Sequence, residues 1–404
     1  MDVHRIRADF PILRERIRGK PLVYLDNAAT AQKPQAVIDA VSNFYATGNA
    51  NIHRGVHFLS ERASEAYENT RGAVARFLGA AGPDEIVFTR GTTEAINLVA
   101  QSFGPSVLRP GDEVLVTEME HHSNLVPWQL LCRRTGATIR AVPITDAGEL
   151  DLDAFDRLLT ERTRILAVVH LSNVLGTINP IADLAARARS RGVTVVVDGA
   201  QSAPHLAVDL AELGCDFYAC SGHKLFGPTG VGVLYGRKEL LDRMPPWQGG
   251  GGMIGTVELT QSTWAEPPAR FEAGTPPIAE VIGLGAAIEY VESIGLPVIA
   301  AWEEELLAQA TARVAEVPGL RILGTAAYKA SVLSFVLDGI HPHDVGAVLD
   351  DDGVAIRAGH HCAQPLMRRL GVPATARASF AFYNTPEEID ALVRGLHRAR
   401  KVFG

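Results

Sequence analysis

Cysteine is scarce in this chain: four residues, at positions 132, 215, 220 and 362, among 404. Their irregular spacing excludes a disulfide framework and makes a reducing cytoplasm the default setting. Charge of one sign is not concentrated anywhere. The formal net charge is −8 and no basic block stands out, so neither nucleic acid nor an anionic membrane is an expected partner. Arg187, Arg189 and Arg191 read as one solvated helix face. Long apolar runs are missing as well. No uncharged run reaches membrane-spanning length, and Met1-Asp-Val-His-Arg-Ile-Arg lacks the apolar core of a secretory signal. No internal repeat is visible, and the one low-complexity stretch, Gly249–Gly252, reads as a mobile loop.

What is present suits an extensive core: 47% of residues are hydrophobic and 21% charged. From about residue 23 to 290, apolar runs alternate with helix-period segments. The strand candidates are 23–25, 85–88, 113–116, 165–169, 193–197, 217–220 and 231–235. Helix candidates between them include 60–78, 93–102, 181–190 and 277–294. Apolar strands separated by helices predict an α/β fold with a mainly parallel sheet covered on both faces. After residue 291 the pattern changes to a helix over 297–317, strands at 332–336 and 354–356, and a last helix from Pro386. The expectation is a large domain over 22–290 and a smaller α+β domain formed by 1–21 and 291–404.

One stretch carries the chemistry. Ser221-Gly-His-Lys224 lies in a glycine-rich turn before the apolar run 231–235, and Val193–Val197 runs into Asp198. A strand ending in a carboxylate, followed by a lysine among glycines, fits a pyridoxal phosphate (PLP) site. Lys224 would form the Schiff base, and Asp198 would keep the pyridine nitrogen protonated. A lone lysine is ordinarily a solvated charge, but Gly222, Gly227, Gly230 and Gly232 permit a close backbone approach that a solvated lysine does not need. The run 85–88 ends in Thr89-Arg-Gly-Thr92-Thr93, a helix start with free N–H groups and hydroxyls for a phosphate, or an ordinary cap. Ser221 and His223 would add donors, and His121, after another strand, is placed to stack on a ring or to be a hydrogen-bonded surface histidine.

Cys362 differs from the other cysteines. Cys132, Cys215 and Cys220 sit in apolar surroundings and read as small hydrophobes, whereas Cys362 follows Arg357, Gly359, His360 and His361 in a polar turn that suits a reactive thiol. Zinc is disfavoured there, because three adjacent ligands cannot easily surround a tetrahedral ion.

These residues resemble a family: the SufS-like (group II) branch of the PLP-dependent cysteine desulfurases, within the class V aminotransferases. The likeness spans nearly the whole chain. It includes Leu25-Asp-Asn-Ala-Ala-Thr30, His53-Arg-Gly55, Arg90-Gly-Thr-Thr-Glu94, Met119-Glu-His-His122, Asp198-Gly-Ala-Gln201, Arg270-Phe-Glu-Ala-Gly-Thr275 and the run from Arg357 to Pro365. The resemblance implies fold type I of the PLP-dependent transferases, with a seven-stranded sheet. It implies that Gln201 contacts the ring hydroxyl and that Thr92, Thr93, Ser221 and His223 hold the phosphate. Thr275 would reach that phosphate from a neighbouring subunit, making a homodimer the expected unit. Asn173 and Arg377 would hold the substrate L-cysteine, Arg377 by its carboxylate, with Arg357 a further contact. Lys224, His121 and Cys362 would be the catalytic set. Cys362 would take the substrate sulfur as a persulfide, L-alanine would leave, and the sulfur would serve iron–sulfur cluster assembly. A SufE-like or zinc-bearing SufU-like protein would collect it. His341-Pro-His343 resembles the subset in which a histidine at position 343 meets the partner's zinc. A selenocysteine lyase is the alternative sharing every cofactor contact.

Overall fold

The structure is a computed structural model describing residues 1–403. Seven strands form the central sheet: β1 (Ile86–Thr89), β2 (Glu113–Thr117), β3 (Thr138–Val142), β4 (Thr163–Val169), β5 (Thr194–Asp198), β6 (Phe217–Ser221) and β7 (Gly232–Gly236). Their spatial order is β1-β7-β6-β5-β4-β2-β3. The pairs from β6 through β3 are parallel, and β7 runs antiparallel to both its neighbours.

Side chains alternate across a strand, so a sheet buried on both faces needs apolar residues at every position. That is what these strands supply. Leu115, Leu166, Val168, Val195 and Val197 fill one core, while Val114, Val116, Ile165, Ala167 and Val196 fill another on the opposite face. The first core is closed by α1 (Phe58–Leu78) and α3 (Ile278–Ile294), the second by α2 (Thr92–Leu98).

The expected strand at 23–25 does not join this sheet. Val23–Tyr24 pairs in parallel with Val354–Ala355, and Val23 and Leu25 pack into a third core built from the C-terminal region. The seventh strand is instead β3, an edge strand in which Thr138, Arg140 and Ala141 are exposed. Half of its surface meets water, so it lacks the unbroken apolar run that marks its neighbours.

The C-terminal region forms a second sheet from β8 (Leu320–Leu323), β9 (Val332–Leu337), β10 (Arg357–Gly359) and β11 (Thr375–Ser379), ordered β8-β9-β11-β10 and antiparallel throughout. Helices α4 (Leu296–Ala315), α5 (Pro342–Asp351) and α6 (Pro386–Phe403) cover it through Leu306, Val345, Leu349, Leu392 and Leu396. Phe10 meets both Tyr290 and Phe382 edge to face, tying the first residues to α3 and to the stretch after β11. Among the described residues, no single helix is long and apolar enough to cross a membrane.

Candidate active site

The carboxyl ends of β2, β4, β5 and β6 point toward the second sheet, and a cavity of about 220 Å³ lies between them. Lys224, Asp198, Gln201, His121, Thr92, Thr93, Ser221, His223, Asn173, Arg357, Arg377 and Cys362 all line it. Thr275 does not. It lies in a separate hollow with His53, Arg54, Gly251 and Gly252. His343 is exposed at the start of α5, where its backbone N–H donates to His341 Nδ1 at 3.2 Å.

Lys224 follows β6 through a turn that only glycine permits. The N–H of Gly222 donates to the Val231 carbonyl at 2.9 Å, and a Cβ there would stand 2.8 Å from Val231 Cγ1. Burial pushes the Lys224 amine down to about 8, against the opposing pull of Asp198. Asp198 ends β5 in a fully buried position, accepts the Ala200 N–H at 3.0 Å, and has its carboxyl pushed up by burial while Lys224 draws it down.

The hydroxyls form a linked group. Ser221 Oγ accepts the Thr92 N–H at 2.9 Å and lies 2.7 Å from Thr92 Oγ1. His223 shares a 3.3 Å contact with Thr30 Oγ1, and burial, then Lys224, then Lys33 bring its ring down to about 4, so it is neutral. His121 is held by Ser123, whose Oγ lies 2.7 Å from Nδ1. Burial, then Lys224, lowers its ring to about 3, leaving a neutral aromatic surface on the cavity wall.

At the other end, Arg377 projects from β11. It is almost fully buried and pairs with Asp26 at 2.9 Å and with the Asn173 carbonyl at 2.9 Å. Asn173 Nδ2 in turn donates to the His361 carbonyl at 2.9 Å, and His361 Nε2 lies 2.7 Å from Thr375 Oγ1. This chain fixes the turn bearing Cys362, which is partly exposed while the other three cysteines are buried.

Four of the lining residues keep a buried polar atom without a partner among the described residues: Gln201 Oε1, Asn173 Oδ1, His361 Nδ1 and Arg377 Nε. Buried polar atoms are nearly always paired, so this set fits a bound group that brings its own donors and acceptors. Gln201 is oriented by its amide, which donates to the Ala28 carbonyl at 2.7 Å.

Several participants had no sequence signal of their own. Asp26, the ion partner of Arg377, lies in the run 25–30 that carries the resemblance, but nothing in that run marks it as an ion partner. Lys33 is a half-buried lysine whose Nζ donates to the His223 carbonyl at 2.8 Å, and loss of water around it brings its amine down to about 8. Glu120, the residue before His121, is fully buried. It accepts from Thr117 Oγ1, the Val169 N–H and Asn124 Nδ2 at 2.7, 2.9 and 2.6 Å, and burial raises its carboxyl to about 8.

Comparison with known proteins agrees with this architecture. Residues 23–392 match the family described as "Aminotransferase class-V". The chain is 55% identical to the "Cysteine desulfurase" of Dickeya dadantii over 403 residues, covering 100% of this chain and 98% of that one. It is 55% identical over 397 residues to a "Probable cysteine desulfurase" of Mycolicibacterium paratuberculosis, covering 98% of this chain but only 58% of that longer protein. A crystal structure of the cysteine desulfurase CsdA from Escherichia coli superposes with a TM-score of 0.94 at 43% identity, covering 100% of both chains. The chain belongs to the class-V aminotransferase family, on the cysteine desulfurase branch.

Proposed function

We propose that this protein is a PLP-dependent cysteine desulfurase that passes the sulfur of L-cysteine to Cys362 and releases L-alanine. The observation that carries the reading is that a partly buried lysine, a buried aspartate and the one accessible cysteine share a single cavity of about 220 Å³. The cofactor is pyridoxal phosphate. The residues that would hold it are Lys224 at its aldehyde, Asp198 and Gln201 at its ring, His121 against its face, and Thr92, Thr93, Ser221 and His223 at its phosphate. When bound, it supplies a sink for the electrons left behind when the α proton of an amino acid is removed.

The chain's own residues do the rest. Arg377 offers a guanidinium already oriented by Asp26 and Asn173, with Nε free to meet the substrate carboxylate. Arg357, on the same wall, adds positive charge near that end. Lys224 has a lowered affinity for protons, so its amine can take the α proton and return it near neutral pH. The Cys362 thiol receives the sulfur. The substrate Cβ–S bond breaks and an S–S bond forms on Cys362. L-cysteine and a thiol thus become L-alanine and a persulfide, with no outside oxidant or reductant. Replacing Cys362 with Ser is expected to abolish sulfide release from L-cysteine while the protein stays yellow with bound cofactor; release at the wild-type rate would refute the role.

The released sulfur would feed iron–sulfur cluster assembly in the cytoplasm. The turn over 357–365 leaves Cys362 only partly exposed, so an acceptor protein of the SufE or SufU kind must reach in for it. His343, exposed on α5, is a contact for a zinc-bearing acceptor. A His343→Ala variant is expected to keep its basal rate and lose stimulation by a SufU-like protein; undiminished stimulation would remove that role. The working unit is a homodimer. Supporting this, Thr275 stands apart from its own cavity, and Val56 and Phe58, beside His53 and Arg54, are 97% and 70% exposed. Large apolar side chains at such exposure mark an association surface.

A further inference from the structure

Two consecutive residues in the Cys362 turn hold left-handed backbone, with φ of 51° at His361 and 56° at Cys362. Residues bearing a side chain avoid that region, so the surroundings must over-determine the turn. On one side, Asn173 and Thr375 hold His361. On the other side, His122 holds the turn twice. Its backbone N–H donates to the Cys362 carbonyl at 2.7 Å, and its ring Nε2 accepts the N–H of Gln364 at 3.2 Å. The two bonds straddle Cys362 and the start of the following helix at Gln364–Arg369. The His360 ring, 5.6 Å from that of His122, closes the outer face and accepts the Cys362 N–H at 3.1 Å.

We propose that His122 is a positioning residue that fixes the strained turn and so keeps the Cys362 thiol at the cavity wall. The proposal rests on the reading of Cys362 as sulfur acceptor. The ring can accept from Gln364 only when Nε2 carries no proton. Burial, then His360, holds its affinity for protons below that of an ordinary histidine, which favours the accepting form. His121, its neighbour, serves the cavity side, and His122 serves the turn.

The test compares two variants of the cofactor-loaded enzyme. His122→Leu leaves the backbone N–H in place and removes the ring acceptor, whereas His122→Gln keeps an oxygen that can accept from Gln364. Two readings are taken: the rate at which iodoacetamide alkylates Cys362, and the rate at which Cys362 gains sulfur in a single turnover with L-cysteine. Losing one hydrogen bond at a strained turn should speed alkylation of the Leu variant by about tenfold and slow its sulfur gain by a similar factor. The cofactor absorbance before mixing should be unchanged, and the Gln variant should return both rates toward wild type. Alkylation of the Leu variant at the wild-type rate, or a Gln variant as impaired as Leu, would overturn the proposal. If the Leu variant does not fold, His122→Ala takes its place with the same outcomes. Should wild-type Cys362 gain no sulfur at all, the acceptor reading fails, yet the alkylation comparison still decides the role of His122.

Discussion

Lys224 shows how burial sets the reactivity of one side chain. Its amine, ordinarily near 10.5, is brought down to about 8 because the cavity removes water from its charged form. Only a neutral amine can attack an aldehyde, so uptake of PLP by cofactor-free protein should accelerate as the pH rises through about 8 and level off above it. Stopped-flow absorbance checks this, and a rise centred instead near the ordinary lysine value would show that the amine is not buried as described. Asp198 works in the opposite sense. Burial favours its neutral form and the charge of Lys224 favours its ionised form, so the two residues are a coupled pair rather than independent acids. Both were legible in the sequence, because an apolar strand ending in a carboxylate and a lysine between glycines are each local patterns. Asp26, Lys33 and Glu120 were not, because what makes them part of the site is burial by residues far away in the chain.

At the scale of elements, the same contrast separates β5 from β11. Thr194–Asp198 announces itself as a buried strand through three consecutive valines. Thr375–Ser379 reads Thr-Ala-Arg-Ala-Ser and has no apolar run, yet all five residues are buried and Arg377 is among them. Small side chains and a paired arginine let that strand pass close behind the Cys362 turn, and nothing local in the sequence says so. Edge strand β3 was missed for the opposite reason, since it is too exposed to be apolar. The Thr375–His361 bond joins β11 to the turn. A Thr375→Val substitution should cost about 1 kcal/mol, because it removes the shorter of two contacts to His361 Nε2 and leaves only the Thr375 carbonyl at 3.2 Å. The measurement is chemical denaturation, and an unchanged midpoint would show that the bond contributes nothing. His361 also gives the fold a pH dependence. Burial lowers its ring from 6.5 to about 3, so below about 6.5 the unfolded chain binds a proton that the folded chain refuses. Stability from this residue is therefore full above that pH and declines as the pH falls toward 3, and His361→Gln should flatten the decline.

For the whole molecule, three cores divide the labour. Two of them clamp the central sheet and place its carboxyl ends, and the third carries the sheet that brings in Arg377 and, through the turn after β10, Cys362. The cavity needs all of these parts, which is why residues from 28 to 377 line it. If Thr275 completes the site of a second copy, variants of the two chains should complement each other. Lys224→Ala and Thr275→Ala subunits, each impaired alone, are expected to regain activity when co-expressed, because one site of the mixed dimer then has both residues. No recovery in a purified mixed dimer would place Thr275 outside the site.

The most direct measurement follows the sulfur itself. The cofactor-loaded protein is mixed anaerobically with L-cysteine carrying a heavy sulfur isotope, then alkylated and mapped by peptide mass spectrometry, with alanine counted in parallel. The account predicts one labelled sulfur on Cys362, none on Cys132, Cys215 or Cys220, and one alanine for each sulfur bound. Label on a different cysteine, or alanine formed with none on Cys362, would contradict it.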